Sequence, residues 1–259
     1  QRNTSSEKLS KRPFRKYSNG YAPTRDWQLN LSALLKVLRK FDSIRKRAAD
    51  KTGGDAALMR LLEPLSKTDG YKELSDSDFL EEMAKCVFRS GFVWKIIEKK
   101  WPGFCSAFDE FDVTQCAMLS EEEIDKLAED TRIVRHRKKI ESVRSNAQFI
   151  FYLRDDYGSF SAFLTQWPKN DFVSLWEYLK NNGSRLGGQT GRYFLRFVGF
   201  DTPLLTLDVC NALISCGVID KAPTSKSALA SVQDAFNTWQ RESSLSFAQI
   251  SRALAISAS

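Results

Sequence analysis

Apolar residues recur at helical spacing along most of this chain. Leu31, Leu34, Leu35, Leu38 and Phe41 fall on one stripe, with Lys36, Arg39 and Lys40 off it, which predicts a long amphipathic helix from Trp27 onward. The stretch KTGGDAALMRLLEPLSKTDG breaks, makes a short helix and breaks again at Pro64 and Gly70. In SDSDFLEEMAKCVFRSG, Ser75 or Ser77 is a helix cap, Phe79, Leu80, Met83, Ala84, Val87 and Phe88 are the apolar positions, and Gly91 is a left-handed stop. FVWKIIEKKW starts a second helix almost at once. SEEEIDKLAED opens on a capping box of Ser120 and Glu123, and IESVRSNAQFIFYL carries the helical pattern beyond the basic run RIVRHRKK. FSAFLTQW, SLWEYLKNNG, RYFLRFVG, DVCNALISCG, ALASVQDAFNTW and FAQISRALAI complete the set. Convincing alternating strands and Asn-Gly hairpin signals are absent, so the pattern predicts an all-α protein with about ten or more short helices and no fixed-period repeat. Residues 1–24 are polar, basic and broken by Gly and Pro, and read as a flexible basic tail. Residues 25–259 form the helical domain.

Composition narrows the class. A chain of 259 residues, 42% hydrophobic and 12% aromatic, can bury a substantial core as one large domain or two coupled lobes. Its apolar runs are far shorter than the roughly 20 residues of a membrane helix, and the amino end lacks a signal-peptide apolar region. No membrane partner is expected, and the protein is expected to be intracellular, in cytoplasm or nucleoid or in a nucleus. Lys and Arg number 39 against 32 Asp and Glu, a net charge of +7 that favours polyanionic partners. The five cysteines and the single histidine, His136, show no metal-ligand spacing. No metal and no cofactor is expected, and the cysteines read as reduced and packed in or near the core.

The stretch GSRLGGQTGRYFLRFVGFDTPLLTLDVCNAL, residues 183–213, carries the first chemical signal. A helix, a tight glycine turn and a second helix over about residues 172–200 look like a helix-hairpin-helix element. Its glycines let backbone approach a phosphate, and the second helix offers unsatisfied N–H groups and a positive dipole end to that anion. Gly187, Gly188, Gln189 and Thr190 are the candidate DNA contacts; a plain αα-hairpin is the alternative. Twenty residues after Gly188, past a turn at Asp201, Thr202 and Pro203, comes LLTLDVCNAL with Asp208. This order resembles the helix-hairpin-helix DNA glycosylase superfamily, in which a Leu-Pro-Gly-x-Gly hairpin precedes a catalytic Asp opening the next helix. The hairpin departs from that pattern at Leu186 and Gly187.

A second resemblance names the branch. FLEEMAKCVFRSGFVWKIIEKKWPGFCSAFDEFDVTQCAMLSEEEIDKLAEDTRIVRHRKKIESVRSNAQFI is similar to the DNA-3-methyladenine glycosylase I family along almost its whole length. SGFVW, FDEFD and IVRHRKKI are the strongest pieces, and with GSRLGG the match covers roughly residues 76–200. The chain is a divergent member by this reading. The glutamate expected eight residues before Trp94 is Cys86, the family's terminal Cys/His zinc ligands have no counterparts, and Asp208 stands where the typical family member has no acid.

The resemblance implies two helical lobes with a cleft between them, and a monofunctional N-glycosylase that flips alkylated purines such as 3-methyladenine out of duplex DNA and hydrolyses the glycosidic bond. No lyase step is expected, because Thr190 stands where a lyase of the superfamily has its lysine. Asp208 is the catalytic candidate, with helix capping as its structural alternative. Trp94, Phe88, Cys86 and Tyr193 are the base-binding candidates. Gly91 and Phe92 could wedge into the duplex, and Arg135, His136, Arg137 and Lys138 could contact phosphates. The expected partner is double-stranded DNA containing alkylated bases, bound by a monomer. The alternative is a DNA-binding or damage-recognition protein of the same fold without glycosylase activity.

Overall fold

The computed structural model describes residues 40–258; the tail expected over residues 1–24 and the apolar stripe from Leu31 to Leu38 lie outside the described residues. Thirteen α-helices and three short 3₁₀ turns make up the described secondary structure, and no strand occurs among the described residues. The helices are α1 (Phe41–Thr52), α2 (Asp55–Leu62), α3 (Asp76–Arg89), α4 (Trp94–Ala107), α5 (Val113–Met118), α6 (Glu121–Glu129) and α7 (Arg137–Tyr157). They continue with α8 (Phe160–Gln166), α9 (Phe172–Asn182), α10 (Gln189–Phe197), α11 (Leu207–Ser215), α12 (Lys226–Ser243) and α13 (Phe247–Ala258).

Side-chain oxygens set many of the helix starts. Ser75 opens α3 and Ser120 opens α6, each by a reciprocal capping box, and Thr206 and Ser225 cap α11 and α12. Helix α5 was not among the helices expected from periodicity, being too short to show a repeat; its signal is the cap, Asp112 accepting from the Gln115 N–H. Helix α4 runs on past Trp101 to Ala107 with Pro102 inside it. A proline interior to a helix removes one ladder donor, and here the aromatic packing of that segment holds the helix together. Trp101 stacks on Phe104 and Phe111 at 4.9 and 5.5 Å between ring centroids, and Phe108 continues the ladder.

The helices fall into two groups. The long helix α7 is the centre of one, with α3, α5, α6 and α8 packed round it and α10 lying on α3. In the other, the first and last described segments meet: α13 packs on α1, α2, α11 and α12. The Phe41 N–H reaches the Glu242 carboxylate, Gln249 donates to the Leu62 carbonyl, and Asp201 accepts from the Phe247 and Ala248 N–H groups at the start of α13. Helix α9 touches α10 on one side and α12 on the other, so the chain passes between the groups at the hairpin. Phe172 on α9 contributes to the join through Phe236 and Phe247, each buried ring being worth about 1.5–3 kcal/mol.

Candidate functional site

The site grows from the turn between α3 and α4. Ser90 ends α3, Gly91 takes φ of 77°, and Trp94 begins α4 four residues later. Lys139, in the first turn of α7, lies buried beneath this turn. Its Nζ donates to the carbonyls of Phe88 and Ser90 at 3.2 and 2.5 Å and sits 4.5 Å from the centre of the Phe92 ring. Burial, helped by the Arg185 charge, pulls the Lys139 ammonium down to about 8. The turn is thereby clamped from below while Phe92, Val93, Trp94 and Ile96 stay exposed on top.

Opposite stands the hairpin. Asn146 on α7 both accepts from the Ser184 N–H and donates to its carbonyl, and Arg185 donates to the Lys138 carbonyl. Two glycines have steric reasons to be there. Gly188, before the first residue of α10, has φ 59° and ψ −134°, a conformation open to glycine alone. A Cβ at Gly191 would lie 2.2 Å from the Leu186 carbonyl oxygen, so α10 packs against the hairpin backbone at a distance only glycine permits. Leu186, which breaks the superfamily pattern, is buried in the core.

Between turn and hairpin helix lies a recess of about 260 Å³, near the lower end of the roughly 300–1,000 Å³ usual for ligand pockets. Of the residues expected at the base or the DNA, Cys86, Gly91, Phe92, Trp94, Gln189, Thr190 and Tyr193 line it. Arg89, Ser90 and Phe197 join them. Trp94 meets Tyr193 edge-on at 5.9 Å and Phe197 at 6.2 Å, and Tyr193 lies 5.6 Å from Phe197. Arg89 sits among these rings, 5.3 Å from both Trp94 and Phe197. Its guanidinium donates to Glu98 at 2.5 and 3.0 Å and to Glu82 at 3.3 Å. The Cys86 thiol donates to the same Glu82 carboxylate at 3.5 Å. Burial pushes the thiol well above the ordinary cysteine range and raises Glu82 as well; Cys86 is a neutral wall of the recess, not a nucleophile.

Phe88 is the expectation the geometry corrects. It is fully buried, its ring 4.5 Å from that of Phe104 on α4, and it is not among the residues that line the recess. The residue spacing that put it on the apolar stripe was a core signal. Sequence reasoning missed Arg89 and Phe197; a long cation one turn after Cys86 and an aromatic four residues after Tyr193 were the available clues.

The basic run divides sharply. Arg137 pairs with Glu121, Asp125 and Glu141, Arg144 with Glu121, and Arg132 with Asp130. Arg137 is therefore neutralised by its own surroundings. Arg135 and Lys138 are exposed and have no ion-pair partner among the described residues, and with Arg185 of the hairpin they leave positive charge beside the glycine turn. His136 stands at the amino end of α7, where its side chain makes no capping bond.

Asp208 lies exposed in the first turn of α11 and is outside the residues lining the recess. Its capping alternative falls away, because the Thr206 hydroxyl takes that role by accepting from the Val209 N–H. The link to the recess runs through Gln189, whose side-chain amide donates to the carbonyl of Leu205, three residues before Asp208. Leu207 beside it is 77% exposed. Among the described residues no group of three or more His, Cys, Asp or Glu side chains is placed to hold a metal ion, and no helix is long and apolar enough to cross a membrane.

Comparison with known proteins meets this geometry. The family model for methyladenine glycosylase matches residues 68–184, from the segment before α3 into the hairpin. That segment, somewhat less than half of the chain, is similar to methyladenine glycosylases. Among the curated relatives, the chain is 29% identical over 79 residues to DNA-3-methyladenine glycosylase 1 of Escherichia coli strain K12, a stretch covering 30% of this chain and 42% of that protein. It is 25% identical over 95 residues to DNA-3-methyladenine glycosylase of Haemophilus influenzae, covering 37% and 51%. The chain thus spans about half or less of the length of these relatives. Beyond the family segment, the fold is similar to that of Methanocaldococcus jannaschii 8-oxoguanine glycosylase/lyase in complex with a 15mer DNA containing 8-oxoguanine, with a TM-score of 0.51 at 14% identity over 82% of this chain and 95% of that one. At that identity the likeness speaks to the fold, which is that of the helix-hairpin-helix DNA glycosylases.

Proposed function

We propose that this protein is a monofunctional DNA N-glycosylase that removes alkylated purines such as 3-methyladenine from duplex DNA inside the cell, acting as a monomer. The observation that carries the reading is the aromatic recess between a clamped apolar turn and a glycine hairpin, built largely from the methyladenine glycosylase segment. Each part has a task in base extrusion. The hairpin backbone from Gly187 to Thr190, with Arg185, Arg135 and Lys138, holds phosphates. Phe92 enters the duplex and offsets part of the stacking lost when the nucleotide turns out. Trp94 and Tyr193 receive the base against aromatic faces.

Bond cleavage then needs stabilisation of positive charge on the sugar. The bond between C1′ and the base nitrogen breaks, its electron pair leaving with the base. Water supplies the oxygen that bonds C1′ and gives up a proton, leaving an intact strand with an abasic site. The Asp208 carboxylate offsets the sugar charge or orients that water. Thr190 in the recess offers no amine for a lyase step.

A second reading, damage recognition without cleavage, is favoured by the placement of Asp208 outside the recess lining. Incubation with methylated duplex DNA followed by chromatography of released bases separates the two. Free 3-methyladenine supports the glycosylase; duplex binding without any released base supports the recognition protein.

A further inference from the structure

One cation of the hairpin helix has no counter-charge. Arg192, one turn into α10, lies with its guanidinium 4.2 Å from the centre of the Trp176 ring on α9. Trp176 is itself fixed, its indole N–H donating to the Thr202 hydroxyl at 2.9 Å. The Arg192 Nε is sealed from solvent without an acceptor, and no carboxylate among the described residues pairs with the group. The titratable group that faces it is the Cys210 thiol on α11, which burial raises and so keeps neutral. Burial of the cation pulls it down to about 10. Arg196, one turn further along the same face, differs: it donates to the Thr202 carbonyl and has the Asp201 carboxylate near it. A desolvated charge without a counter-ion costs stability, so Arg192 is not explained by the folded chain alone. The residue is only half-buried, and its terminal nitrogens, unlike Nε, keep contact with solvent.

The surroundings point to the anion. Arg192 follows Gln189 by three residues on the same face of α10; Gln189 lines the recess and donates to the Leu205 carbonyl, and the Cys210 thiol beside Arg192 donates to that same carbonyl at 3.8 Å. The guanidinium therefore lies where the hairpin helix meets the start of α11, the helix that carries Asp208. Resting on the proposed handling of duplex DNA, we infer that Arg192 is a phosphate-binding residue whose free edge takes one phosphodiester of the strand that carries the extruded nucleotide. An arginine stacked on an aromatic ring presents that edge as two parallel N–H donors, the geometry a phosphate accepts best. Bringing a phosphodiester toward Asp208 opposes like charges, and a cation at the start of α11 offsets the repulsion.

Titration of the intact protein with a duplex bearing a tetrahydrofuran abasic analogue reads this contact with no base to release. Arg192→Met should bind about tenfold more weakly, the scale of one charge-assisted hydrogen-bonded pair, and its plot of log affinity against log salt should flatten by about 0.9, the share of one phosphate. Its melting temperature should stay level or rise, because the unpaired charge is gone while an apolar stem still covers Trp176. Arg192→Lys keeps the charge without the planar fork, so the salt slope should hold while affinity falls. A wild-type slope in Arg192→Met, a clear loss of its melting temperature, or full affinity in Arg192→Lys would overturn the inference and return Arg192 to a packing role. Inorganic phosphate alone is the second probe. Saturable binding to wild type and not to Arg192→Met, with the duplex slope unchanged, would assign the site to free phosphate and also overturn the strand contact. The proposed base excision fails separately: a protein that releases no base but loses slope in Arg192→Met keeps the phosphate contact, whereas one that releases base with an unchanged slope loses only the role of Arg192.

Discussion

Lys139 shows how a single residue in a familiar-looking run can have a task its neighbours lack. In the sequence it is one of seven charges around Ile133 and Ile140; in the fold it is the one drawn inside, donating to the Phe88 and Ser90 carbonyls and lying under Phe92. The folded protein releases its proton near pH 8, whereas an unfolded chain holds it to about 10.5. Between those values the unfolded chain binds more protons, so this residue's contribution to stability rises with pH. The melting temperature of wild type relative to Lys139→Met should accordingly increase as pH is raised from about 8 toward 10; a difference that stays flat or falls would remove the buried-ammonium account. Neither the burial of Lys139 nor the seat of Arg89 was legible in the sequence, because Lys and Arg are ordinarily surface residues and only the meeting of α3, α4, α7 and α10 encloses them. Cys86 was legible as a departure, and the fold adds what it touches: Glu82, one turn away, whose carboxylate accepts from both the thiol and Arg89.

At the scale of elements, helix starts and the hairpin were readable because their signals are local. Ser75, Ser120 and Gly91 act where their residue types predict. The glycine-rich turn was readable as a hairpin for the same reason, but the reason for Gly191 was not: it is a close approach to the Leu186 carbonyl across the turn. Gly191→Ala should force the hairpin and α10 apart, lowering stability by about 1–3 kcal/mol as overpacking does and weakening duplex binding, while Gly188→Ala should act through backbone strain at φ 59°. Chemical denaturation and duplex titration of the two variants check this. Wild-type stability in Gly191→Ala would mean the close approach is easily relieved. Phe88 marks the limit of periodicity at this scale, since an apolar stripe says that a side chain is buried but not whether it faces core or pocket.

For the whole molecule, a net charge of +7 pointed to a polyanion without saying where it binds. Ion pairs subtract Arg137, Arg144 and Arg132 from the available charge and leave Arg135, Lys138 and Arg185 beside the hairpin. Replacing those three with Ala should weaken binding to damaged and undamaged duplex alike and flatten the dependence of log affinity on log salt, by about 0.9 for each phosphate no longer neutralised. Arg137→Ala, losing only surface ion pairs, should leave that slope unchanged. An unchanged slope in the triple variant would return the run to an ordinary solvated face.

The two helix groups, joined at α9 and the hairpin, bring the recess from one group toward Asp208 at the head of α11 in the other. Whether this placement performs hydrolysis is the central claim, and Asp208→Asn tests it most directly because it removes the charge with little change of volume. Single-turnover release of base from alkylated duplex should fall by orders of magnitude while melting temperature and duplex affinity stay at wild-type values. Release at near wild-type rate by Asp208→Asn would contradict the assignment of the carboxylate and the chemistry proposed for this fold.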